Sequence, residues 1–113
     1  MEQHYKLYRV RELADNDEDF VAALAAAFLE EVPVDAERLK VAVATQDYYN
    51  AYQAAHKMKP TVDLFELGVL QDLIVVQDWG KFEKVGEDCS KELELVLTAV
   101  EKATTELKED FNL

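Results

Sequence analysis

Of the side chains able to carry chemistry, His56 stands in the setting least like the rest of the chain. Tyr48, Ala51, Ala55, Met58, Val62 and Phe65 are spaced by three and four, which predicts a helix from about Tyr48 to about Phe65. At about 100° per residue, His56 points roughly 140° away from the centre of that apolar stripe, toward solvent. A histidine packed in the core would fall within the stripe instead. Tyr48 to Val62 contains no Asp or Glu, although 24 of the 113 residues are acidic. The charges in this window are Lys57 and Lys59, one on either side of the outward direction. Lys59, at i+3, is close enough for its ammonium to reach a group carried on the imidazole. An imidazole with an unperturbed pKa of about 6.5 is largely neutral and nucleophilic near neutral pH. A phosphoryl group on it would bring about −1.5 to −2 charges. Cations close by and carboxylates absent are what such a carrier needs in an acidic protein. An ordinary surface histidine beside solvated lysines is the alternative reading of the same residues.

The elements that would position His56 are helical. Gly (3) and Pro (2) are scarce and half of the residues are hydrophobic, a balance that favours helices over a turn-rich sheet protein. Leu7 to Ala14 reads as a short N-terminal helix. Asp15-Asn16-Asp17 interrupts it and supplies an N-cap, followed by acids that suit a positive helix end. A long helix is expected from about Glu18 to about Thr45, with Phe20, Leu24, Ala27 and Phe28 as its stripe, continued by Leu39 and Ala42. Pro33 either kinks it or splits it. Gln46-Asp47 is a short connection before the helix of His56. Gly68 marks a break, and Val69 to Trp79 carries Leu70, Leu73, Ile74 and Val76, read as a helix that Gly80 ends, although Ile74-Val75-Val76 would also suit a strand. From about Val85 to about Asp110, the apolar series Val85, Cys89, Leu93, Val96, Val100, Ala103, Leu107, reaching on to Phe111, is the strongest periodic signal in the chain. Four amphipathic helices with short connections bury their stripes most simply as an all-α, up-and-down four-helix bundle, here with a short extra N-terminal helix, in one domain over residues 1–113.

Bulk charge narrows the function classes. Twelve basic residues against 24 acidic ones give a formal net charge of −12, which repels nucleic acid phosphates and anionic membranes. The longest apolar run, Phe20 to Leu29, is half of what a membrane span needs, about 20 residues. The N-terminal segment lacks the apolar stretch of a signal peptide. The single cysteine, Cys89, excludes an internal disulfide, fits a reducing cytoplasm and occupies an apolar position. A cytoplasmic protein is the expectation, and the start at Met1 suggests a free-standing chain over a piece of a larger sensor kinase. His4 lies near a terminus expected to fray and is given no role.

The segment Ala55-His56-Lys57-Met58-Lys59-Pro60-Thr61 resembles the motif of the histidine-containing phosphotransfer (HPt) family: a histidine, any residue, an aliphatic residue, a lysine, and usually a glycine with small polar residues after it. Upstream, Glu12-Leu13-Ala14 before an acidic break, then Phe20, then Phe28-Leu29-Glu30-Glu31-Val32-Pro33, is similar to the family's entry into its first long bundle helix. The likeness covers Leu7 to about Ile74 by sequence and the remainder by helical pattern. It implies that His56 is phosphorylated, that Lys59 steadies the phosphoryl group, and that Lys57 occupies a variable, often basic position. Pro60 departs from the usual glycine, and Glu66 stands where a later glycine is common, with Gly68 two residues on. These departures bear on local helix shape and on the choice of partner, not on the nucleophile.

The resemblance further implies a phosphocarrier of a two-component phosphorelay, taking phosphate from a receiver-domain aspartate and passing it to another receiver. The partners would be response-regulator receivers and a hybrid sensor kinase, with the Mg²⁺ of the transfer belonging to the receiver and no cofactor held by this chain. His56, Lys59, Pro60 and Asp63 share one side of the helix with Tyr49, Tyr52 and Gln53 below them, which makes this the candidate docking face. No Walker A or G-x-G pattern is present, so autonomous kinase activity is not expected. A di-metal bundle would want Glu three residues before His56, where Gln53 stands, and no metal site is expected. A monomer is expected. The alternative is a helical adaptor that binds a receiver or another signalling protein without carrying phosphate.

Overall fold

The computed structural model describes residues 3–113, and among these the regular structure is entirely helical. Helix α1 spans Tyr8–Leu13, α2 Glu18–Ala44, α3 Tyr48–Leu64, α4 Leu70–Lys81 and α5 Ser90–Phe111. Helix α2 packs on α3 and α5, α4 packs on the same two, and α1 lies against α2. This is the expected four-helix bundle with a short extra helix. The connections are tight because side-chain-bearing residues accept left-handed backbone: Asp15, Asn16, Gln46, Glu66 and Glu83 all have positive φ. Asp17 caps α2 by accepting from the N–H groups of Asp19 and Phe20, and Asp47 caps α3 by accepting from the N–H of Asn50. The expected acidic break and the expected connection thus serve as helix starts.

Helix α2 runs through Pro33 as one continuous helix, which resolves the kink-or-split alternative against a split. Its buried stripe is Val21, Ala25, Phe28, Val32, Ala36, Leu39 and Ala42. Phe20 is not part of it: its side chain is 45% exposed while Val21 is fully buried, so the expected stripe was rotated by one residue at its start. Helix α5 begins five residues later than its periodicity suggests. Val85 is 76% exposed in a loop, and Cys89, buried, takes the N-cap position. The Trp79 indole N–H donates to the Glu87 carbonyl at 2.9 Å and ties that loop back to α4. Gly80 does not end α4, which continues to Lys81. A Cβ at Gly80 would lie 2.7 Å from the Tyr48 carbonyl oxygen and 2.7 Å from the Tyr52 nitrogen. The glycine therefore marks a close approach of α4 to α3.

The segment before α1 is anchored, contrary to the expectation of fraying at His4. Tyr5 is buried and its hydroxyl donates to Asp110 at 2.5 Å. The Lys6 N–H donates to the Phe65 carbonyl at 2.8 Å. Glu106 accepts from the N–H groups of Gln3 and His4 and pairs with the His4 imidazole. Burial alone would raise the Glu106 carboxyl, but these donors hold it below the ordinary carboxylate range. A carboxyl lowered in the folded state stabilises the fold above its ordinary value, and that contribution is lost as pH falls through the lowered one. Urea unfolding of the wild type and of Glu106→Gln should therefore show its full difference above about pH 4.3, with the gap closing on acidification below that. A gap that stays constant or widens down to about pH 3 would contradict this pairing.

Candidate functional site

Helix α3 presents its apolar stripe inward, with Ala51, Ala54, Ala55, Met58 and Val62 buried. His56 therefore sits on the opposite side and is exposed, as is Pro60. Pro60 leaves α3 unbroken to Leu64. Proline has no N–H, so the His56 carbonyl, four residues back, lacks its regular helical donor. One turn before His56, the Tyr52 ring stacks on the imidazole, with centroids 5.6 Å apart and planes 29° from parallel. Neither ring nitrogen of His56 has a hydrogen-bond partner among the described residues, and no described acid forms an ion pair with it.

The two lysines differ. Lys57 reaches across to α2, where its ammonium lies 3.4 Å from the carboxylate of Asp35. Asp35 is only 5% exposed, so Lys57 supplies the countercharge for a buried carboxylate and helps fasten α3 to α2. Lys59 is half-buried and pairs with no described acid. Of the two candidate cations, Lys59 is the one whose charge is uncommitted. The window around His56 is poor in acids along the chain, but Asp35 brings one to it across the bundle. This carboxylate was detectable in the sequence: it interrupts the α2 stripe of Phe28, Val32, Ala36 and Leu39 at i+3 from Val32.

The candidate docking residues are brought onto one side of α3 with unequal availability. Tyr49 is 69% exposed, whereas Tyr52 and Gln53 are half-buried. Asp63 is engaged by Arg9 of α1, whose guanidinium donates to the Asp63 carboxylate and carbonyl, both at 3.0 Å. Its charge is offset by Arg9, so Asp63 acts as a tie between α1 and α3 before it can act as a contact for a partner. The pairing depends on the fold of α1 over the end of α3, and no spacing rule reveals it. Lys81, like Asp35 and Arg9, is a residue that sequence reading passed over. With Tyr49, Tyr52, Gly80 and Glu83 it lines a groove of about 380 Å³ between α3 and α4.

Among the described residues no cluster of three or more His, Cys, Asp or Glu side chains could hold a metal ion, and no helix is long and apolar enough to cross a membrane. The arrangement is that of an accessible imidazole on a continuous helix, with an ammonium a turn away that pairs with no described acid and an aromatic ring on one side. No family model, curated protein or solved structure matches the chain.

Proposed function

We propose that the chain is a phosphocarrier of the HPt type, bearing a phosphoryl group on His56 between two receiver domains. The observation that carries this reading is the exposed imidazole in mid-helix, free of hydrogen bonds to described residues, with the uncommitted Lys59 at i+3. Receptor and donor chemistry are complementary here. The unprotonated ring nitrogen attacks phosphorus of an aspartyl phosphate, an N–P bond forms, and the P–O bond breaks with its electron pair leaving on the aspartate. The transition state is loose and little covalent assistance is needed, so a carrier contributes mainly position. Lys59 offsets charge on the phosphorylated imidazole. Lys57, committed to Asp35, contributes to the local field and to holding α3 in place. The Mg²⁺ of the reaction would arrive with the receiver.

Incubation with a phosphorylated receiver should yield an acid-labile, base-stable species 80 Da heavier, and His56→Gln should abolish it entirely. Lys59→Ala should leave the site of modification unchanged and shorten the lifetime of the phosphorylated form. Pro60, which places a ring where the family has a glycine, favours a second reading as an adaptor that binds a receiver without accepting phosphate. Binding of a receiver with no mass gain, unaffected by His56→Gln, would establish that reading in place of the first.

A further inference from the structure

A histidine that accepts a group at one nitrogen needs its ring orientation fixed, and the usual device is a hydrogen bond from the other nitrogen. His56 has no such bond among the described residues. Among the described residues its one ring contact is with Tyr52, four residues earlier on the same face of α3. Tyr52 is itself well seated. Its main-chain nitrogen and Cα lie against Gly80, where even a methyl group would come within 2.7 and 3.2 Å of them. Its half-buried ring lines the α3–α4 groove beside Gly80 and Lys81. The backbone of α4 thus supports Tyr52, and Tyr52 supports one face of the imidazole.

We propose that Tyr52 is the positioning residue of the His56 site, its stacked ring restricting the imidazole to one orientation and so favouring one of the two ring nitrogens as the phosphoryl acceptor. The inference rests on the phosphocarrier reading for its purpose, but the orientation itself does not depend on any partner. Stacking on Tyr52 covers one face of the ring and leaves its outward edge, where a nitrogen lone pair lies in the ring plane, open to an arriving or departing phosphoryl group.

The test uses the full chain, with Tyr52→Ala, Tyr52→Leu and Tyr52→Phe, and phosphoramidate as a small phosphodonor. In this step the imidazole nitrogen bonds to phosphorus, the donor P–N bond breaks, and ammonia leaves with the proton. NMR then gives the proportion of the two phosphohistidine isomers. Wild type and Tyr52→Phe should give the same dominant isomer, while Tyr52→Ala and Tyr52→Leu should shift the isomer ratio by about 2- to 12-fold, the range an aromatic pair supports. Before any phosphorylation, the His56 ring protons should lie upfield in wild type and Tyr52→Phe relative to the Ala and Leu variants. The Leu variant retains bulk at the groove, so a packing defect in the Ala variant does not decide the outcome. Unchanged ring-proton positions, an unchanged isomer ratio in both unstacked variants, or a Phe variant that behaves like Ala would overturn the proposal. A shifted isomer ratio together with no transfer from any receiver would uphold the positioning role and overturn the phosphorelay reading instead.

Discussion

Phe65→Ala should destabilise the fold by about 3–5 kcal/mol, the loss usual for deleting a fully buried aromatic ring. Phe65 follows the last residue of α3, is 1% exposed, and lies with its ring centroid 5.0 Å from that of Phe28 on α2, the planes tilted by 55°. The same residue accepts the Lys6 N–H through its carbonyl, so three parts of the chain meet there: α2, the end of α3 and the segment before α1. A domain of this size has a stability on the order of 6–17 kcal/mol, and the loss would consume a large fraction of it. The tilted pair adds roughly 0.5–1.5 kcal/mol beyond burial, which a double-mutant cycle with Phe28→Leu would isolate. Denaturant unfolding measures both quantities. A loss below about 1 kcal/mol for Phe65→Ala would mean that this end of the bundle is not packed as described.

Gly80→Ala carries an expectation of unusual sign. Within an exposed helix, replacing glycine by alanine stabilises by roughly 0.5–1 kcal/mol. At Gly80 the new methyl group would sit 2.7 Å from two main-chain atoms of α3, and main-chain atoms of a packed helix cannot rotate away as a flexible side chain can. The helices must separate locally, so a net loss of about 1–3 kcal/mol is expected despite the gain in propensity. One of the atoms displaced is the nitrogen of Tyr52, and the stack on His56 should loosen with it. The variant should therefore unfold at lower denaturant and move the His56 ring protons toward their positions in Tyr52→Ala. A variant as stable as wild type, with unmoved His56 signals, would show that α3 and α4 are not in close contact here.

What could be read from the sequence depended on whether a feature was periodic or relational. The α3 stripe through Ala51, Ala55, Met58 and Val62 was legible because burial repeats every turn, and the outward direction of His56 followed from it. The same regularity misled at α5, where Val85 continues the spacing of Cys89 and Leu93 but belongs to a loop shaped by the left-handed backbone of Glu83 and Gly86. Phe20 misled for a related reason: the alanine-rich start of α2 offers several stripes of similar hydrophobicity, and Val21 lies on the one that faces the bundle. Gly80 has the sequence signature of a helix stop, yet its lack of a side chain serves contact between helices. The pairs Arg9–Asp63 and Lys57–Asp35 join residues 54 and 22 positions apart. Local spacing holds no information about them, although a carboxylate inside the α2 stripe is a sign that some cation must come to meet it.

Pro60 lies on the exposed side of α3 and deprives the His56 carbonyl of its regular helical donor. In the free protein, water can solvate that oxygen at little cost. A surface laid over that oxygen would have to dehydrate it, and leaving it bare would cost roughly 1–3 kcal/mol. A visitor that covers that oxygen would avoid the cost by bringing an N–H or O–H to it, or by leaving a water trapped at the seam.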